Sequence, residues 1–303
     1  MASTFMRFVG CLLLLLSPLA AQMVDPAIDV PEKPFSFPAA PTDMIGIRDT
    51  VAGTLITPEG YLYTGYGELM FLVGYPPVAV TQRIRTLEES HLPIVRYQYE
   101  DGAVTYQMTA FTAALHDDPI KPVNFVRVVA MNGGSTPRTS YFSVALRYTG
   151  EVNAQGVGHH RFRRPVQPKA PGAYSQPGVE FDPDWEYGFD GDCAVRSGRL
   201  VYMFAQDPKP TLWLTRGTLY SKPAKTRVLP TTPVLVAQYK LALAPRQSRT
   251  LVFKMPVHPA PVAEAGALRS AAVEEALRQT TDWWKRELGR GIQIELAEKK
   301  VTD

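Results

Sequence analysis

The stretch Leu92–Leu115, LPIVRYQYEDGAVTYQMTAFTAAL, decides the fold class. Apolar and polar residues alternate over 95–100 and again over 104–109, which is the period of a half-buried β-strand. Between the two runs stands Asp101-Gly102, and this dipeptide is typical of a type I′ turn, which needs positive φ at both central residues. The sequence therefore predicts an antiparallel hairpin closed by Asp101 and Gly102.

The same two-residue period extends on both sides of this hairpin, from about Arg48 to Pro256. Residues 124–150 repeat the design with a longer turn, and four further runs follow, separated by Pro, Gly and Ser: RLVYMFAQ, PTLWLTRG, PVLVAQYKLALAP and SRTLVFKMPV. So many short strands in one segment indicate antiparallel sheets packed face to face. The sequence thus predicts a mainly β fold, with a large antiparallel sandwich over residues 48–258.

The period changes to that of a helix between Val262 and Leu288. The apolar residues at this spacing are Leu268, Ala272, Ala276, Leu277, Trp284 and Leu288. Adjacent helical side chains point about 100° apart, so Trp283 and Trp284 cannot both face the sandwich. We predict that Trp284 packs on the sandwich together with Leu277 and Leu288, and that Trp283 faces a further domain, so that both tryptophans are domain-interface candidates.

The last residues predict that the polypeptide continues into another domain. IQIEL is typical of a strand, and AEKKVTD resembles the first turns of a new helix. We therefore assign residues 259–303 to a helical linker and the start of a truncated (α/α) domain, and we expect the chain to be the front part of a longer polypeptide.

The N-terminus predicts export. A basic start, an apolar run from Phe8 to Leu16 and small residues near Ala21 form a secretory signal peptide over 1–21. Residues 22–47 are proline-rich and predict an extended arm. The mature protein is expected to be secreted or periplasmic, and its single remaining cysteine, Cys193, is expected to be a buried strand residue.

Composition excludes several classes of function. The 303 residues carry a formal net charge of +3, which gives no field that would favour nucleic acid or an anionic membrane as partner. The 27 prolines suit stiff loops between strands. The G-x-S-x-G, phosphate-loop and H-E-x-x-H patterns are absent from the sequence, and we predict no cofactor and no metal.

Two segments carry candidate binding residues, of which the first is GVGHHRFRRP. His159, His160, Arg161 and Arg163 stand together there, and arginine pairs bidentately with carboxylate or phosphate groups. A solvated loop, or arginines that brace a neighbouring domain, explains the same residues.

The second segment, VEFDPDWEYGFDGD, mixes acids with aromatic residues. Asp184, Trp185, Glu186 and Tyr187 suit sugar recognition, with a sugar ring stacked on an aromatic face and hydroxyls bound to carboxylates. Three alternatives stay open: a calcium site over residues 180–192, ordinary turns, and a core position for Trp185 and Tyr187. A pair of carboxylates also suits glycoside hydrolysis.

The chain also resembles a known family, on the segments TPEGYLYTGYGELMFLVG, QRIRTL, VNFVRVVAMNG, VALRYTGE, HRFRRP and GIQIELAEKKVTD. Together these segments are similar to the N-terminal β-supersandwich and linker of bacterial six-hairpin, glucoamylase-like glycosidases. The resemblance implies a secreted domain with carbohydrate and an (α/α)6 catalytic barrel as partners. In that family the catalytic acid and base lie in the barrel, so no catalytic residue is carried over to this chain.

Three functions are therefore compared below. The first is a supporting sandwich domain of a glycoside hydrolase-like protein, which is not catalytic alone. The second is a free-standing carbohydrate-binding or periplasmic interaction protein. The DNA beyond codon 303 separates these two functions: a stop codon favours the second, and an open frame that encodes paired amphipathic helices favours the first. The third is a galactose mutarotase-like epimerase or a lyase that would use His91, His159 or His160 with a Glu or Tyr in a concave sheet.

Overall fold

The computed structural model describes residues 43–47, 50, 53–57, 59–79, 85–115, 118–148, 181–229 and 232–291. Within them the chain forms two antiparallel sheets. The strands, numbered along the chain, are β1 (Asp43–Ile45), β2 (Thr54–Ile56), β3 (Leu62–Tyr63), β4 (Glu68–Val73), β5 (Val78–Ala79), β6 (Arg85–Glu88), β7 (Leu92–Asp101), β8 (Val104–Leu115), β9 (Asp118–Asn132), β10 (Arg138–Arg147), β11 (Glu186–Asp190), β12 (Cys193–Arg196), β13 (Arg199–Met203), β14 (Thr211–Thr215), β15 (Thr218–Leu219), β16 (Ala224–Lys225), β17 (Val234–Leu243), β18 (Ser248–Pro256) and β19 (Ala260–Pro261).

The two sheets draw strands from distant parts of the chain. Sheet A runs in the order β1-β2-β3-β4-β10-β17-β14-β15, with β5 added beside β4. Sheet B runs in the order β16-β11-β12-β13-β18-β9-β8-β7-β6, with β19 added beside β13. The predicted mainly β, antiparallel fold is confirmed. Strand β1 falls inside the predicted arm, so sheet A begins before residue 48.

Aromatic rings join the facing sides of the two sheets. Phe253 of sheet B lies about 6 Å, between ring centroids, from Phe71 (6.1 Å), Phe142 (6.0 Å) and Tyr239 (5.9 Å) of sheet A. Tyr106 of sheet B lies 5.1 Å from Phe142, between ring centroids, with the two rings tilted by 34°. These rings are all fully buried, as expected for inward positions of alternating strands.

The central hairpin is confirmed, but its turn lies one residue later than predicted. Asp101 pairs with Val104 as the last ladder pair, so the two loop residues are Gly102 and Ala103. Gly102 alone of these two has positive φ, at 60°, which is the pattern of a type II′ turn rather than type I′. Asp101 stays in the strand, where its carboxylate accepts a hydrogen bond from the Ser140 hydroxyl of sheet A. This contact between the sheets is compatible only with a strand position for Asp101, which local turn chemistry did not reveal.

Replacing Gly102 with valine is expected to lower the free energy of unfolding by about 1–2 kcal/mol, because a β-branched residue is strained at positive φ. No atom lies within 4 Å of the position that a Cβ would take, so the cost is one of backbone strain alone. Urea unfolding checks the value, with Ala103→Val as the control at a loop position of ordinary φ. Equal stability of the two variants would show that the turn has another geometry.

After β19 the chain leaves the sandwich through a short 3-10 turn, Val262–Glu264, and two helices, α1 (Ala265–Ser270) and α2 (Val273–Gly289). The sequence predicted one continuous helical segment, but Ala271 and Ala272 are extended and separate the two helices. No helix of the described residues has the length and apolar content needed to cross a membrane. The predicted signal peptide, residues 22–42 of the arm and residues 292–303 lie outside the described residues.

Helices α1 and α2 cover part of the outer face of sheet B. A second hydrophobic cluster forms there from residues that alternate with those of the main core. Its buried sheet members are Leu92, Ile94, Phe111, Leu115, Val123, Phe125, Cys193, Leu200 and Met203, and its buried helix members are Ala265, Leu268 and Ala276. The outer face of sheet B is therefore apolar under the helices, and the helices and the sandwich share one packed layer.

Candidate functional site

The linker helices are bound to sheet B by ion pairs as well as by apolar packing. Each pair joins one residue of the sandwich to one residue of the linker, and the pairs are Lys121–Glu264 at 3.1 Å, Arg127–Glu274 at 2.9 Å, Asp192–Arg269 and Glu89–Lys285. Exposed pairs contribute little each, about 0–1 kcal/mol. They nevertheless fix the direction in which the helices cross the sheet, because they are spread along both helices.

The two adjacent tryptophans of α2 take different positions. Trp284 and Leu277 pack against the outer cluster of sheet B, on the side predicted for them. Trp283 meets Trp284 edge to face, with 4.7 Å between ring centroids, and does not belong to that cluster. Leu288 is 43% exposed, so the prediction that it packs on the sandwich was wrong. A role of Trp283 and Trp284 in contacting a further domain stays a prediction.

A buried lysine marks the junction between the helices and the sandwich. Lys254 of β18 is only 8% exposed, and its Nζ donates hydrogen bonds to the backbone oxygens of Leu268 and Arg269. These oxygens are at the C-terminal end of α1, where the helix dipole favours a cation. Desolvation by burial lowers the pKa of Lys254. The lysine thus ends α1 and turns the chain toward α2.

A cavity of about 910 Å³ opens beside Lys254. Its walls are the turn before β12, the end of β13 and the segment that follows it, β14, β18 and the break between α1 and α2. Apolar and charged side chains share the lining, which includes Met203, Phe204, Pro210, Leu212, Val252, Asp192, Lys209, Lys254 and Arg269. The volume lies in the range of small-molecule sites, about 300–1,000 Å³, and such sites combine apolar walls with a few polar groups in this way. We therefore take this junction cavity as the candidate functional site.

Asp192 supplies the one carboxylate of the junction cavity. It accepts hydrogen bonds from the Nε and Nη2 atoms of Arg269, a bidentate pair that lowers the pKa of Asp192. The neighbouring thiol of Cys193 is buried, and burial together with the Asp192 charge raises its pKa to about 12. Cys193 is therefore a buried strand residue, as predicted, in surroundings that disfavour the reactive thiolate.

The acid–aromatic segment does not form the predicted sugar site in one place. Trp185 and Tyr187 are 7% and 3% exposed and belong to the main core, which is the alternative that the sequence left open. The Arg196 guanidinium lies 4.0 Å from the centroid of the Trp185 ring and covers it. Asp184 and Glu186 are exposed next to these rings. The aromatic faces and the carboxylates therefore do not line a common surface.

The acids of this segment take separate roles instead of surrounding one ion. Asp182 accepts a hydrogen bond from the backbone N–H of Asp184, which is a turn contact. Asp192 pairs with Arg269 at the junction cavity. Among the residues that the structure describes, no three His, Cys, Asp or Glu side chains come together as metal ligands would. The arginine-rich loop with His159, His160, Arg161 and Arg163 lies outside the described residues.

Sequence reasoning missed the junction cavity and one histidine. Lys209, Lys254 and Arg269 are separated in sequence, so no motif joins them. The signal that could have indicated the cavity was Lys254 itself, a lysine within the apolar strand VFKMPV. His258 contacts Tyr66 edge to face at 5.4 Å between ring centroids, and burial lowers the pKa of His258 and raises that of Tyr66. His91, which the sequence favoured, is exposed at the turn before β7, where its Nδ1 contacts the Glu89 carbonyl.

Comparison with known proteins gives a distant structural likeness to a solved protein. The scan against protein-family models gives no match, and the search of curated proteins gives none either. Among solved structures, a polysaccharide lyase matches with 14% sequence identity and a TM-score of 0.27, over 71% of this chain. The match covers 32% of the lyase chain, so this chain spans about a third of that protein's length. A likeness this distant carries no argument about function.

Proposed function

We propose that the chain is a secreted β-sandwich domain of a glycoside hydrolase-like, carbohydrate-active protein. In this function the sandwich supports a following catalytic domain and helps to hold carbohydrate, and it does not cleave glycosidic bonds by itself. The observation that carries the proposal is the linker: α1 and α2 are docked on sheet B by a hydrophobic cluster and by ion pairs. A docked linker gives a following domain a fixed orientation relative to the sandwich.

The segments that carry the family resemblance meet one another in the fold, which supports the proposal. Glu68 of the first segment forms an ion pair with Arg147 of VALRYTGE on the neighbouring strand. The guanidinium of Arg147 also lies 5.5 Å from the centroid of the Tyr61 ring. Arg127 of VNFVRVVAMNG binds Glu274 of the linker helix. Residues of the resembling segments therefore contact one another and the linker helix in the fold.

The proposal predicts carbohydrate binding without hydrolysis. The purified protein should be retarded in affinity electrophoresis gels that contain a soluble polysaccharide, tested with starch, xylan, β-glucan and pectate. It should release no reducing sugar from them and no phenol from aryl glycosides above the buffer rate, because hydrolysis needs an acid and a second carboxylate on opposite sides of a bound sugar. Failure to bind any of the four polysaccharides would contradict the carbohydrate part of the proposal.

One observation favours a second candidate, a sandwich-type lyase or epimerase. The His258–Tyr66 contact brings together the two side-chain types that such a reaction would use as base and acid, and burial lowers the pKa of His258, which favours its neutral form. The reducing-sugar assay separates the lyase from the supporting domain, because a lyase creates new chain ends and a supporting domain does not. Turnover that is lost in His258→Ala and kept in His91→Ala would favour the sandwich enzyme, and turnover lost in Asp184→Asn or Glu186→Gln would favour a hydrolase site within the sandwich.

A further inference from the structure

The charges that line the junction cavity do not balance. Lys209, Lys254 and Arg269 face one carboxylate, Asp192, which leaves the lining with a formal charge of +2. Asp192 is already bound by Arg269 through two hydrogen bonds. The two backbone oxygens that Lys254 contacts account for two of its three N–H donors. Lys254 is only 8% exposed and lines the cavity, and its third N–H donor has no hydrogen-bond acceptor among the residues that the structure describes.

The N-terminal end of α2 adds to this positive field. Ala271, Ala272 and Val273 line the cavity, and the N-cap residue of α2 makes no side-chain cap. The two acids of its first turn are bound elsewhere, Glu274 to Arg127 and Glu275 to Arg278. The first N–H groups of a helix have no acceptor within the helix, and the dipole makes this end attractive to anions. A 17-residue helix thus points its positive end at the same cavity as the three cations.

The apolar part of the lining favours an anion that also has an apolar surface. Leu212 and Val252 are partly exposed and form an apolar wall beside the cations, and the nearly buried Met203, Phe204 and Pro210 complete the lining. A cavity of about 910 Å³ is far larger than a bare inorganic anion needs. An acidic sugar fits both features, because its ring presents C–H groups to apolar side chains while its carboxylate pairs with lysine and arginine.

We propose that the junction cavity binds a uronate residue of an acidic polysaccharide, with the sugar carboxylate between Lys254, Arg269 and the N-terminal end of α2. This inference rests on the proposed carbohydrate-related function and names the class of sugar. Lys209 stands at the exposed rim, where it attracts the anionic chain from solution.

Calorimetric titration with trigalacturonate tests the proposal, with its fully methyl-esterified form as the ligand that keeps the shape and lacks the charge. Maltotriose and sodium sulfate are the neutral sugar and the bare anion. Trigalacturonate should bind, and its affinity should fall with added salt. The methyl ester, maltotriose and sulfate should each bind at least about tenfold more weakly. Lys254→Met should weaken trigalacturonate about tenfold and Lys209→Ser about threefold. Lys240→Met, at an exposed lysine of sheet A, should change nothing.

Each other outcome overturns a stated part of the inference. If sulfate binds as tightly as trigalacturonate, the cavity binds anions in general and does not select a uronate. If the methyl ester binds as tightly as trigalacturonate, the sugar carboxylate does not contribute to binding. Binding of maltotriose that Lys254→Met leaves intact would contradict the inference while the proposed function stands. If Lys254→Met melts early because α1 has lost its C-terminal contact, Lys209→Ser decides, since the Lys209 side chain is exposed and forms no hydrogen bond or ion pair with the part of the chain that the structure describes.

Discussion

Replacing Phe142 with alanine should lower the free energy of unfolding by about 3–5 kcal/mol, one of the two largest effects expected in this protein. Phe142 is fully buried on β10 and contacts rings from both sheets: Phe71 at 6.1 Å beside it, and Tyr106 at 5.1 Å and Phe253 at 6.0 Å across the sandwich. Alanine removes the ring and leaves a cavity that strands held in two ladders cannot collapse to fill.

The neighbouring residue provides the matched control. Tyr141 lies next to Phe142 on the same strand, and its side chain points to the opposite face, where it contacts the exposed Tyr75 at 5.1 Å. Tyr141→Ala should cost about 1 kcal/mol or less. Urea unfolding followed by tyrosine and tryptophan fluorescence measures both changes. Similar losses for the two variants would mean that the aromatic cluster is not the centre that joins the sheets.

The fold class was predictable because its signal is local. Alternation over 92–115 and the other strand runs reports which side chains face the core, and the two sheets contain these runs as predicted. The turn of the central hairpin lies one residue later than predicted, and Asp101, which stays in the strand, accepts a hydrogen bond from Ser140 of the other sheet. Contacts of this kind join residues far apart in sequence, and a local pattern does not contain them.

The candidate site was much less predictable than the fold. Trp185 and Tyr187 alternate with acids as a sugar-binding strand would, but alternation alone does not tell which face of the sheet is inside. They proved to be core residues. The junction cavity brings Lys254 of an apolar strand to Arg269 of a helix only because the linker folds back over sheet B. The positive charge of the cavity arises because the fold brings these residues together. The nearly neutral net charge of the whole chain gives no sign of it.

The second large effect concerns the ion pair between Glu68 and Arg147. The Glu68 side chain is fully buried and that of Arg147 is 18% exposed, and the residues face each other across β4 and β10. Burial by itself lowers the pKa of Arg147, but the charge and hydrogen bond of Glu68 raise it above its usual value. The two charges therefore stabilise each other in a place that excludes water, and the loss of one leaves the other poorly compensated.

Arg147→Met should accordingly lower the free energy of unfolding by about 3–5 kcal/mol, because it removes a cation from beside a buried carboxylate and keeps most of the side-chain volume. The double variant Glu68→Gln/Arg147→Met should recover a large part of this loss, since it removes the uncompensated charge as well. Urea unfolding of the wild type, both single variants and the double variant gives the coupling energy. Additive losses would show that the pair contributes by packing rather than by charge. Glu68 and Arg147 lie in two of the segments that carry the family resemblance, TPEGYLYTGYGELMFLVG and VALRYTGE. Strong coupling would show that these segments form a buried charged contact that stabilises the centre of sheet A. The proposed support of a following domain depends on the stability of this sheet.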